Sequence, residues 1–217
     1  MKKYKTLLFD MDGTVIDTDP LLKESFHILY DKYRHGVYTP DEEIWYFSGP
    51  PIKKTLAKEF PNLDLDFIFQ EFNKVSESLY PTHTFKYDDS LEVLLELKKA
   101  GYQLGIVTNK VHRLAEYALK CVGLDIIFDV VIGFEDVKNP KPDKEGILKA
   151  IKLFNSDQES TLYIGDNSSD LISASNAGVD SCLVIWGPRK VDPNIAPTFK
   201  VSSYIDLKEK LLYGKDL

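Results

Sequence analysis

The chain has 217 residues, 43% hydrophobic and 28% charged, which is enough for one substantial core, or a core carrying a smaller one. Its net charge of −7, from 27 basic and 34 acidic residues without a basic run, argues against a nucleic-acid-binding surface. No apolar run reaches membrane-spanning length. Met1-Lys2-Lys3 leads into a charged strand rather than the apolar stretch of a signal peptide. Cys121 and Cys182 lack CxxC spacing and lie in apolar surroundings, as expected of buried thiols in a reducing compartment. These features point to the cytoplasm, with no membrane or nucleic-acid partner.

In chain order, the first element is the apolar run Leu7-Leu8-Phe9, which suits a parallel strand covered on both faces. It runs straight into Asp10-Met11-Asp12-Gly13-Thr14. Open α/β sheets place their chemistry just past such strand ends. Two carboxylates delivered there together repel unless a cation or a shared proton relieves them. An ordinary strand-ending turn would also use Asp and Gly. A calcium loop is excluded, because its fifth, sixth and twelfth positions are Thr14, Val15 and Leu21.

Asp19-Pro20 predicts a helix start, with Asp19 as cap and Pro20 at the first helical position. Leu22, Phe26, Leu29, Tyr30 and Tyr33 follow at helical spacing, and Gly36 ends the helix. A second helix is expected from Pro51 (Ile52, Leu56, Phe60), and a third after the cap Asp64 (Ile68, Phe72, Val75, Leu79). Residues 17–84 therefore read as an all-helical insertion without a convincing strand, between two parts of a core at 1–16 and 85–217.

The rhythm then changes. Asp89 or Ser90 caps a helix stopped by Gly101, and residues 103–107 form a strand. A helix at 110–122, a strand at 130–132, a helix at 143–154 and a strand at 161–164 follow. The series continues with a helix at 169–177, a strand at 182–185, a short strand near 199–201 and a helix at 204–212. Alternating strands and helices mean an α/β fold, a doubly wound parallel sheet of Rossmann-like type, with the helical insertion as a smaller cap domain.

Four polar segments fall on one edge of that sheet: Asp10 with Asp12, Thr108-Asn109, Lys141 between Pro140 and Pro142, and Gly165-Asp166 through Asp170. Their residue types support phosphoryl transfer. One carboxylate attacks phosphorus, and its neighbour protonates the leaving oxygen and then deprotonates water. Hard oxygen ligands from Asp10 and Asp166 suit Mg²⁺, and Asp170 either ligates directly or orients a water. A lysine and a hydroxyl hold the phosphoryl oxygens as charge develops. The four histidines have no metal-ligand spacing and read as surface or boundary residues. Tyr163 and Trp186 read as packing residues.

These four segments, in this order across nearly the whole chain, resemble the motifs of the haloacid dehalogenase-like hydrolase superfamily. The resemblance implies Asp10 as nucleophile and Asp12 as general acid/base. It further implies Mg²⁺ on Asp10, the Asp12 backbone carbonyl and Asp166 with Asp170 supporting, and Thr108, Asn109 and Lys141 on the phosphoryl group. A second aspartate at position 12 is similar to the phosphatase branch rather than the dehalogenases. The insertion resembles the subclass whose helical cap closes over small substrates. Ser48-Gly49-Pro50-Pro51 then stands where that subclass places a substrate-specificity loop, or else is a helix–helix turn. Lys53, Lys54, Lys58, Trp45, Tyr46 and Phe47 either face substrate or form a solvated helix face.

The implied substrate is pyrophosphate or a small phosphorylated metabolite, as in the pyrophosphatase and phosphoglycolate phosphatase groups. Phe85-Lys86-Tyr87-Asp88-Asp89 departs from the Tyr-Pro-Gly-Val-like entry of many relatives. A phosphomutase of the β-phosphoglucomutase kind shares every core motif, and a non-catalytic binding protein on the same fold is the remaining alternative. A monomer or weak homodimer is expected.

Overall fold

The computed structural model describes residues 4–214; Met1-Lys2-Lys3, on which the leader expectation rests, lie outside the described residues. The apolar run becomes strand β1 (Thr6–Phe9), every residue of it buried. Its side chains alternate between two hydrophobic layers, as a period of two requires. Leu7 and Phe9 join Leu104, Ile106, Leu162 and Ile164 on one face, whereas Leu8 joins Val107, Tyr163, Ile147 and Ala174 on the other. Helices on both faces explain why the strands read as continuous apolar stretches rather than alternating ones.

The remaining elements follow in order. They are β2 (Ile16–Asp17), α1 (Asp19–Arg34), α2 (Asp41–Ile44), α3 (Ile52–Glu59), α4 (Leu65–His83), β3 (Phe85–Lys86) and α5 (Ser90–Lys99). Then come β4 (Gln103–Val107), α6 (His112–Cys121), β5 (Val130–Ile132), α7 (Glu145–Leu153) and β6 (Thr161–Gly165). The chain ends with α8 (Ser168–Ala177), β7 (Asp180–Val184), β8 (Phe199–Val201) and α9 (Tyr204–Tyr213). Six strands form one parallel sheet in the order β5-β4-β1-β6-β7-β8. This is an α/β, Rossmann-like fold. β1 lies where the order reverses, the place at which open α/β sheets hold ligands.

Helices α1 to α4 share their own apolar cluster, in which the Phe26 ring meets Phe47 at 4.8 Å and Phe72 at 5.6 Å between centroids. The expectation of no strand here needs one correction. Ile16 pairs with Lys86 and Asp17 with Phe85 in a short antiparallel ladder where the helical segment leaves and rejoins the sheet. Two-residue strands carry no periodicity to read.

Other details depart from the sequence reading. Asp19 is not a cap: Thr18 occupies that position, and the Asp19 carboxylate pairs with Arg189 instead. The helix expected at 143–154 starts at Glu145, because Asp143 Oδ1 accepts the Glu145 backbone N–H at 2.8 Å before regular helix begins. Residues 41–44, and a 3-10 turn at Trp45–Phe47, add helical structure too short to show a stripe. Cys182 is buried, whereas Cys121 at the end of α6 is half-buried. Among the described residues, no helix is long and apolar enough to cross a membrane.

Candidate active site

β1, β4 and β6 run in register, with Phe9 opposite Ile106 on one side and Ile164 on the other. The residues just beyond their ends, Asp10, Thr108 and Asp166, therefore share one rim. Beyond Asp10 the chain turns tightly: the Met11 carbonyl accepts from the N–H groups of Val15 at 2.9 Å and Ile16 at 3.1 Å. Gly13 is required in that turn. Its φ of +84° is left-handed, and a Cβ there would fall inside the Asp166 carboxylate and 2.5 Å from Arg189 Nη1.

Lys141 reaches this rim from the loop before α7. Its ammonium donates to Asp10 Oδ1 at 2.6 Å, to Asp170 Oδ1 at 2.7 Å and to the Tyr163 hydroxyl at 3.0 Å. The Tyr163 hydroxyl in turn donates to the Val107 carbonyl at 2.7 Å. Tyr163 is thus more than the packing residue its strand position suggested. Burial pushes the Asp10 carboxyl up to about 6, since the Lys141 charge only partly offsets the lost solvation and Asp170 adds repulsion. Lys141 itself stays protonated: burial disfavours its charge, but the flanking Asp10 and Asp170 carboxylates outweigh that and hold it well above its ordinary value.

Asp12 has a different environment. Lys110 Nζ donates to both of its oxygens, at 2.9 and 2.8 Å, and the Thr18 hydroxyl donates to Oδ1 at 2.7 Å. Burial acts to raise the Asp12 carboxyl, but Lys110 and these hydrogen bonds prevail and hold it below the usual carboxylate range. Two aspartates separated by one residue are thereby driven in opposite directions by their surroundings. Sequence reasoning passed over Lys110, although it directly follows Thr108-Asn109.

The other expected residues fall as follows. Asn109 Nδ2 donates to the Gly49 carbonyl at 2.7 Å and to the Lys141 carbonyl at 3.1 Å, joining the helical segment to the rim. Asp10, Asp12, Thr108, Asn109 and Gly49 line one cavity together with Lys110 and Lys53. Most of the remaining wall is apolar and comes from the helical segment, including Leu22, Phe47 and Phe72. Lys141, Asp166 and Asp170 are not on that wall; they meet Asp10 from behind it. Trp45, Tyr46, Lys54 and Lys58 do not line the cavity either, and Tyr46, Lys54 and Lys58 are exposed. No histidine lines it. Trp186 stacks on Tyr204, 4.9 Å between ring centroids, as a packing residue should.

The family model of the haloacid dehalogenase-like hydrolases matches residues 7–184. The chain belongs to this family. Pyrophosphatase PpaX of Bacillus velezensis is 35% identical over 185 residues, covering 85% of each chain. The crystal structure of CbbY from Rhodobacter sphaeroides in complex with phosphate superposes with a TM-score of 0.84 at 19% identity, covering 99% of this chain and 100% of that one. A haloacid dehalogenase-like family hydrolase from Streptococcus pneumoniae gives 0.80 at 22% identity, covering 94% and 97%. Both structural likenesses speak to the fold.

Hydrolases of this family generally use a divalent metal, and the buried carboxylates fit one. Asp10, Asp166 and Asp170 each offer an oxygen, all within 4.8 Å of one another. Among the described residues, Asp10 Oδ2 and Asp166 Oδ1 accept no hydrogen bond, which leaves hard carboxylate oxygens of the type Mg²⁺ takes. Burial raises both carboxyls, Asp166 well above its ordinary value, and a bound cation would favour their ionised forms. Asp170 is more engaged: Oδ1 takes Lys141 and Oδ2 the Asn167 N–H at 3.0 Å, at the first turn of α8. The Asp12 carboxylate is outside the cluster, tied to Lys110. Arg189, absent from the sequence reading, donates to Asp166 Oδ2 at 3.0 Å.

Proposed function

We propose that the chain is a Mg²⁺-dependent phosphatase that hydrolyses pyrophosphate, or a small phosphorylated metabolite, through an aspartyl-phosphate on Asp10. The observation that carries this reading is the convergence of Asp10, Thr108, Lys141 and Asp166 at one rim, with Lys141 Nζ 2.6 Å from Asp10. Asp10, Asp166 and the Asp12 backbone carbonyl would hold the metal, with Asp170 in support. Mg²⁺, when bound, neutralises charge on the phosphoryl oxygens and on the carboxylates around them.

The chain's own residues do the rest. An Asp10 oxygen attacks phosphorus, the bond from phosphorus to the leaving oxygen breaks, and the phosphoryl group passes to Asp10. Where the leaving oxygen needs a proton, Asp12 must first take one up from solvent, against the pull of Lys110, and then passes it over. The Asp12 carboxylate then takes a proton from the water that attacks the aspartyl-phosphate, which releases phosphate and restores Asp10. Thr108, Asn109 and Lys141 hold the transferring oxygens, and residues 17–84 act as a cap that keeps bulk water out. Gly49 places the Ser48–Pro51 loop against Asn109, where it can meet the leaving group.

Pyrophosphate is favoured by the relative named pyrophosphatase and by the Lys110–Asp12 pair. A departing phosphate leaves readily as an anion, so a site whose acid is held as carboxylate beside an ammonium suits it. The apolar wall of the cavity favours an organic leaving group instead. Phosphate release from pyrophosphate, phosphoglycolate, sugar phosphates and nucleotides, run with Mg²⁺, with EDTA and with Asp10→Asn protein, separates these readings. The expected result is release that EDTA abolishes and that falls more than about 10³-fold in the variant, as when a covalent nucleophile is deleted. Release undiminished in Asp10→Asn overturns the mechanism, and the preferred compound identifies the leaving group.

A further inference from the structure

The loop after β7 carries Arg189, whose side chain is 2% exposed. Long cationic side chains are seldom buried to this degree unless paired. Here the guanidinium is held at both ends. Nη1 donates to Asp166 Oδ2 at 3.0 Å, and Nη2 donates to Asp19 Oδ1 at the start of α1. The Nε N–H, also buried, has no partner among the described residues. The two terminal nitrogens are therefore spent on two carboxylates that lie 147 residues apart in sequence, one in the sheet core and one in the helical segment.

The split on Asp166 is the informative feature. One oxygen is fixed by Arg189, and the other accepts no hydrogen bond among the described residues; the carboxylate contributes an oxygen to the buried cluster with Asp10. A carboxylate rotating freely about its χ angles would present either oxygen. Clamping Oδ2 leaves Oδ1 as the oxygen without a hydrogen-bond partner among the described residues. Gly13 keeps the clamp open, since any Cβ there would occupy the space of the Asp166–Arg189 contact.

We propose that Arg189 is a positioning residue for the metal site: braced by Asp19, it holds Asp166 with one oxygen presented to a divalent cation. This rests on the metal-dependent reading above. Outer partners of metal-binding carboxylates typically contribute 10- to 100-fold in affinity.

The sign of the effect separates this role from simple charge. Arg189 is a cation beside a cation site, so by Coulomb's law alone its removal strengthens metal binding. Positioning predicts the reverse. The experiment is calorimetric titration of the metal-stripped full chain with Mg²⁺ alone, with thermal stability in EDTA measured alongside. Arg189→Gln should bind about 10- to 100-fold more weakly than the wild type. Arg189→Lys should recover little of this, because an ammonium cannot span both carboxylates as the planar fork does. Guanidinium added well below denaturing concentration should restore part of the affinity of Arg189→Ala. Lys190→Gln, which removes the adjacent exposed cation, should bind like the wild type.

Asp19→Asn tests the brace without touching Arg189 or the carboxylate cluster, and keeps the test available if the Arg189 variants fail to fold. It should weaken Mg²⁺ binding more than Asp17→Asn, which removes an equal charge two residues away without an Arg189 contact. Unchanged or tighter binding in Arg189→Gln, or equal losses in Asp19→Asn and Asp17→Asn, overturns the proposal. If the wild type binds no Mg²⁺, the metal-dependent reading falls and this proposal with it. Wild-type binding that the substitutions leave untouched overturns this proposal alone.

Discussion

The floor and the roof of the site are built on opposite principles. The floor, at the ends of β1, β4 and β6, is dense in buried charge, and each cation there is tied to carboxylates. Lys141 bonds Asp10 and Asp170, Lys110 bonds Asp12, and Arg189 bonds Asp166 and Asp19. The roof, formed by α1 to α4 and the 3-10 turn, is held by stacked and edge-on rings around Phe26 and shows the cavity a mainly apolar wall. Among the described residues, two hydrogen bonds join the Ser48–Gly49 loop to the floor, from Asn109 at 2.7 Å and from Asn167 at 3.4 Å. Buried charges without their partners are costly, on the order of 3–5 kcal/mol, so the floor tolerates little change. Apolar packing accepts other shapes of similar volume. On the proposed function, a site divided in this way would fix its reaction in one half and leave the choice of leaving group to the other.

The chain's two tryptophans report on the halves separately: Trp45 lies in the roof, and Trp186 lies just past β7 in the sheet core that carries the floor, stacked on Tyr204. Single-tryptophan forms therefore resolve where a substitution acts. The largest effect is expected for Phe72→Ala, which empties a ring packed 5.6 Å from Phe26 and lining the cavity. It should cost about 3–5 kcal/mol in denaturant unfolding followed at Trp45, with a smaller shift at Trp186. Its KM should change more than its kcat, because the ring faces substrate space and not the reacting carboxylates. A smaller effect is expected for Tyr163→Phe. That change leaves the Val107 carbonyl without its donor and Lys141 with one acceptor fewer, at a cost of about 1–3 kcal/mol. The shift should appear first at Trp186. Should both variants move both reporters equally, floor and roof unfold as one cooperative unit and the contrast drawn here fails.

The parts of this architecture that recur locally were legible in the sequence. β1, β4 and β6 announce themselves as apolar runs ending in Asp10, Thr108 and Asp166, and the helices of the roof by stripes such as Ile68, Phe72, Val75 and Leu79. What escaped was set by contacts distant in sequence or by segments too brief to have a period. Arg189 sits in a Gly-Pro-Arg-Lys loop, and its partners lie 23 and 170 residues away. Tyr163 is one apolar letter in a buried strand, and nothing local says that its hydroxyl meets Lys141. The β2–β3 ladder consists of two residue pairs. Lys110 alone had a usable signal, its place directly after Thr108-Asn109 on the rim. The misplacement of Asp19 as a cap has the same origin as the omission of Arg189, since the carboxylate was claimed by a residue that sequence proximity could not suggest.

The central claim is that Asp10 carries the phosphoryl group. It is tested most directly by acid-quenching the enzyme during turnover, reducing any acyl phosphate with borohydride, and sequencing the N-terminal peptide by mass spectrometry. Conversion of residue 10 to homoserine, dependent on substrate and absent in Asp10→Asn, is the predicted result. A substrate-dependent reduced residue elsewhere, or an unmodified peptide under conditions of steady phosphate release, would contradict the account.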